Sequence, residues 1–118
     1  MRYVLLIYGS VAAYNQMTEA ERASVMQGHI AFHNAVQERG IVVGGEPLQL
    51  PSAATTVRIR NGKTLITDGP FAETTEQLGG TYVLECKDLD EAIEWAKMLP
   101  EAQTGSIEVR PVMVMPPM

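Results

Sequence analysis

The chain has 118 residues, 46% of them hydrophobic and 19% charged, proportions of an ordinary globular domain and far from disordered, collagen-like or disulfide-scaffold compositions. Its net charge of -5, with no run of Lys and Arg, opposes a phosphate backbone and argues against nucleic acid as a direct partner. A single cysteine, Cys86, cannot form an internal disulfide, and its apolar strand context suits a small buried hydrophobe in a reducing compartment. One domain over residues 1–118 is expected.

Residues 3–8, Tyr3-Val4-Leu5-Leu6-Ile7-Tyr8, form a β-branched and aromatic run that predicts a central strand. The run is too short for a secretory h-region or a membrane span, so a cytoplasmic protein without a membrane partner is expected. Thr18-Glu19-Ala20-Glu21 has the spacing of a capping box, and Arg39-Gly40 that of a helix end, which predicts a helix over roughly 19–39. Ile41-Val42-Val43 predicts a second strand, broken by Gly44-Gly45-Glu46-Pro47. Residues 55–60 and 63–67 alternate in polarity around Asn61-Gly62, the pair suited to a two-residue hairpin turn.

Thr81–Cys86 predicts another strand after a bend at Gly79-Gly80, and Asp88-Leu89-Asp90-Glu91 predicts the start of a second helix. That helix carries Leu89, Ala92, Ile93 and Ala96 on one face and ends near Leu99-Pro100. Residues 106–112 supply the last strand. The order is a ferredoxin-like βαββαβ plan of the α+β class with one inserted hairpin. Both faces of residues 3–8 are apolar, so a homodimer that joins the two bare sheet faces is expected.

The densest unusual stretch is Asp68-Gly69-Pro70-Phe71-Ala72-Glu73-Thr74-Thr75-Glu76-Gln77-Leu78-Gly79-Gly80, with three carboxylates, three glycines and a proline. Asp68 before Gly69-Pro70 suits a turn in which the aspartate accepts downstream amides. Glu73 and Glu76 stand one helical turn apart, either as first-turn acids of a helix or as part of a protonatable cluster. His29, three residues after Met26 and three before Phe32, falls at the edge of the helix face that meets the sheet. It is a candidate general acid or base, since a free imidazole titrates near about 6.5; the alternative is a histidine satisfied by a neighbouring backbone group or carboxylate. His33 shares its face at the i,i+4 interval, but a third metal ligand is missing, so no metal is expected. Arg110, Arg58 and Arg2 could clamp an anionic ligand. No phosphate loop, dinucleotide fingerprint or nucleophile elbow is present, and no cofactor is expected.

The chain resembles the DGPF subgroup of the YCII-related family over nearly its whole length. The likeness runs from Tyr3–Gly9 through Gly44-Gly45-Glu46-Pro47-Leu48 and the stretch at 68–80 to Glu108-Val109-Arg110-Pro111-Val112. The resemblance implies a dimeric α+β barrel of ferredoxin-like subunits. It also implies a histidine-containing acid/base site in a dimer cleft, with His29 of His29-Ile30-Ala31 matching the histidine of the family's His-Leu-Ala helix motif. Such chains often carry an aspartate before a proline near the end of the second helix, where this chain has Leu99-Pro100; Asp68 is then the acid expected to serve His29. Two functions follow as expectations. The first is a small-molecule site with His29 and Asp68 transferring protons and Glu73, Glu76 and Arg110 contributing to ligand binding, in isomerase or lyase-type chemistry. The second, implied by the proximity of such proteins' genes to those of extracytoplasmic-function sigma factors, is a regulatory module that docks an acidic loop on a sigma factor.

Overall fold

The structure is a computed structural model that describes residues 1–117. Its first strand, β1 (Arg2–Ser10), runs directly into a six-residue helix, α1 (Val11–Gln16), and then the long α2 (Glu19–Glu38). β2 (Val42–Pro47) follows, then the hairpin of β3 (Thr55–Arg60) and β4 (Lys63–Asp68). β5 (Glu76–Glu85), α3 (Leu89–Lys97), the short α4 (Glu101–Thr104) and β6 (Ser106–Pro111) complete the chain. β1, β2, β5 and β6 form one antiparallel sheet in the order β2-β5-β1-β6, while β3 and β4 pair only with each other. This α+β order is compatible with a ferredoxin-like fold, and the four-stranded sheet of the single protomer is open rather than a closed barrel.

α2 begins where the capping box places it. The Thr18 hydroxyl accepts from the Glu21 amide at 3.1 Å and the Glu21 carboxylate accepts from the Thr18 amide at 3.1 Å, satisfying two orphan donors of the first turn. At its far end Gly40 takes φ 69°, the left-handed conformation that a Cβ disfavours. In the hairpin, Asn61 and Gly62 adopt φ 53° and 75°, as a type I′ turn requires.

Several expectations are corrected. β2 does not stop at Gly44 but continues through both glycines to Pro47, paired with β5. β5 starts at Glu76 rather than Thr81, so Gly79-Gly80 lies inside the strand instead of bending before it. The reason is mutual. Gly45 has φ 139°, and a Cβ there would stand 2.3 Å from the Thr81 carbonyl oxygen; one on Gly80 would stand 3.2 Å from the Glu46 carbonyl oxygen. Gly45 and Gly80 thus let the backbones of β2 and β5 approach. No helix starts at Glu73: residues 69–75 are irregular, tied by the Gln77 side-chain amide donating to the carbonyls of Ala72 and Thr74 at 2.9 and 3.1 Å. α1 and α4 are too short to have produced a periodic signal.

The core lies between one sheet face and the helices. Tyr3, Leu5 and Ile7 of β1 bury against Phe32 and Val36 of α2, Leu84 of β5, Ala92 and Ala96 of α3, and Leu99. Phe32 meets Tyr82 and Trp95 edge-on, with ring centroids 4.8 and 6.1 Å apart. Cys86 is buried and free, as its sequence context suggests; burial, reinforced by Glu91, pushes its thiol up to about 11. The alternate residues Val4, Leu6, Tyr8 and Val83 stay half-exposed on the other sheet face. No helix among the described residues is long and apolar enough to cross a membrane.

Candidate functional site

α2 is twenty residues long, yet only Phe32 and Val36, in its second half, are buried. Its first half stands clear of the sheet and roofs a half-open cavity of about 780 Å³. Val25, His29 and Ile30 hang from the roof, while Val42–Pro47 of β2 and Gln77–Tyr82 of β5 make the floor. Each floor strand carries a bulge at the cavity, at Val43 and at Gly79, where one strand has a residue that its neighbour does not match. Such bulges re-aim a strand locally and are common beside functional sites. Gly9 and Gly44, both lining residues, have nothing within 4 Å of a would-be Cβ, so the glycines keep the space empty.

α1 closes one end of the cavity and is anchored to the roof. The Arg22 guanidinium donates to the Tyr14 carbonyl at 3.1 Å and the Asn15 carbonyl at 3.3 Å, and lies 4.7 Å from the centre of the Tyr14 ring. The cation thus reinforces the end of α1, adding to the Met17 amide on the Tyr14 carbonyl.

His29 is the imidazole of the cavity wall that meets a carboxylate. Its Nε2 stands 2.8 Å from Oε2 of Glu101, with side-chain exposures of 26% and 20%. The neighbouring residues explain the contact. A Cβ on Gly28 would lie 2.6 Å from Cγ of Pro100, so glycine in mid-helix lets α2 touch Pro100, and the next residue on each side of that touch is His29 and Glu101. An ionised carboxylate only accepts hydrogen bonds, so in an ion pair or hydrogen bond with it Nε2 is the donor. Glu101 Oε1 is buried and accepts no hydrogen bond from the protein. Tyr82, also in the lining, has its phenol pushed up by burial and by the charge of Glu101, and so remains a neutral donor.

The other sequence candidates lie apart from this pair. Asp68 is exposed at the end of β4, at the root of the hairpin, and does not line the cavity. Glu73 is exposed in the loop after it, and Glu76 accepts from the Ser106 hydroxyl at 2.8 Å. Arg110 pairs with Glu108 on the half-exposed sheet face, next to Val4. His33 lines the cavity and is exposed; no group of three potential metal ligands occurs among the described residues. Glu101 is the residue that sequence reasoning missed. It follows Pro100, whereas the resemblance looks for an acid before that proline, where Leu99 stands, and so turns to Asp68; a glycine beside a mid-helix histidine was the available signal of a close crossing.

The chain belongs to the YCII-related family, whose domain matches residues 1–116. It is similar to a protein of Rhizobium meliloti (strain 1021) described as uncharacterized protein R00369, with 38% identity over 119 residues, 99% of this chain and 96% of that one.

Proposed function

We propose that this protein binds a small, largely apolar organic molecule in the cavity under α2 and transfers a proton to or from it through His29, with Glu101 as its acidic partner. The observation that carries the reading is the His29 Nε2 to Glu101 Oε2 contact of 2.8 Å on the wall of an otherwise mostly apolar cavity, whose size lies in the range of small-ligand sites. The imidazole takes the ligand's proton on Nδ1, and the imidazolium so formed is balanced by the Glu101 carboxylate; returning the proton to a different ligand atom completes an isomerisation and restores the neutral ring. Asp68, outside the lining, has no part in this scheme. The half-exposed face of Val4, Leu6, Tyr8 and Val83 supports a homodimer joined through that sheet face, which sedimentation measures.

Binding is tested by a thermal-melt screen against small apolar metabolites. A ligand at 100 times its dissociation constant adds roughly 2.7 kcal/mol, a shift of several degrees. Turnover is tested by NMR in deuterated water, where the wild type exchanges a ligand C–H for deuterium and His29→Gln does not. Exchange that persists in His29→Gln contradicts the role given to the imidazole.

A further inference from the structure

Resting on the small-molecule reading above, we infer that the cavity selects an apolar primary amine, bound as its ammonium beside Glu101, and discriminates against carboxylates and phosphates. The charged and titratable groups that face the cavity are His29 and His33 from α2, Glu46 from β2, Glu101 from α4 and the neutral phenols of Tyr14 from α1 and Tyr82 from β5. None of the nine Lys and Arg residues of the chain is among the lining. Several are engaged elsewhere: Arg22 on the carbonyls of α1, Arg39 over the Trp95 ring, Lys97 with Glu94 and Arg110 with Glu108. Arg58, Arg60 and Lys63 stand on the hairpin.

An anionic ligand entering this space loses its hydration and meets two carboxylates with only imidazoles to offset it. An ammonium meets the opposite balance. Glu101 Oε2 already accepts from His29 and has a further lone pair, and a charge-assisted hydrogen bond there is about twice as strong as a neutral one. The ligand's body is matched by the apolar roof and floor, Val25, Ile30, Val42 and Leu78 among them.

The test uses three probes of one shape, 2-phenylethylamine, 2-phenylethanol and 3-phenylpropionate, titrated calorimetrically at pH 7.5 into the wild type, Glu101→Gln and Gly44→Lys. The wild type is expected to bind the amine at least about tenfold more tightly than the propionate, with the alcohol between. Glu101→Gln brings the amine down to the alcohol. Gly44→Lys introduces a cation where a side chain has open space, leaves the dyad intact and reverses the order of amine and propionate. A wild type that binds the propionate as tightly as the amine, or an amine preference that survives both substitutions, overturns the inference while leaving the cavity a ligand site. Failure of all three probes to bind at millimolar concentration overturns the small-molecule reading with it.

Discussion

The two halves of α2 share one helix and do opposite work. The second half puts Phe32 and Val36 into the core, 1% and 0% exposed, while the first half holds Met26 and Ile30 at 61% and 52% exposure over an open cavity. A helix that packed along its whole length would fill that space. The difference comes from the far side: bulky β1, β5 and α3 residues rise to meet the second half, whereas glycines 9, 44, 45, 79 and 80 lie beneath the first. The cavity arises here from packing withheld, and Gly28 against Pro100 fixes how near the roof comes.

The widest separation between the halves should appear in stability. Phe32→Ala removes a ring wedged between Tyr82 and Trp95 and is expected to cost about 3–5 kcal/mol in urea unfolding. Ile30→Ala, two residues away, should cost about 0.5 kcal/mol or less. Equal costs would erase the distinction.

Gly28→Leu attacks the hinge between the halves. Its side chain collides with the Pro100 ring, at a cost of about 1–3 kcal/mol, and the lifted roof separates His29 from Glu101. Ligand-dependent stabilisation should vanish while the far-UV circular dichroism stays native.

A smaller effect comes from the start of the roof. Thr18→Ala removes the capping hydroxyl and is expected to cost about 1 kcal/mol, read from the urea midpoint. The Thr18 amide and hydroxyl hold the Glu21 carboxyl below its usual value. A depressed carboxyl stabilises the fold above its unfolded pKa and loses that contribution as pH falls through the folded one. The stability difference between wild type and Glu21→Gln should therefore be present at pH 7 and disappear on acidification through and below the carboxylate range.

The mildest probe leaves the structure untouched. With its thiol near 11 and its side chain buried in the core, Cys86 should react with a disulfide reagent at pH 8 only as fast as the core opens. Fast labelling without denaturant would show that the core around Cys86 opens readily.

Much of the architecture was legible because local chemistry and tertiary role agree. Thr18 and Glu21 announced α2, Asn61-Gly62 the hairpin, and Asp88 the start of α3, whose Glu91 amide it caps at 2.9 Å. The glycine pairs misled for a physical reason: taken alone, Gly44-Gly45 and Gly79-Gly80 are strand breakers, and only the close approach of the partner backbone, Thr81 to Gly45 and Glu46 to Gly80, shows why a glycine belongs inside each strand. His29 was legible from its place on the helix edge. Its partner was not, because the His29–Glu101 contact spans 72 residues of chain and depends on Gly28 touching Pro100, a relation that no local pattern encodes.

The most direct test of the cavity as a ligand site follows backbone amide resonances during titration with 2-phenylethanol, a neutral probe that does not depend on charge selection. A probe bound under α2 shifts resonances on both walls of the cavity, at Val25 and His29 of the roof and at Gly45 and Gly80 of the floor, with the hairpin residues 55–68 unmoved. Shifts confined to the hairpin or to the open sheet face, or none at millimolar probe, would contradict it.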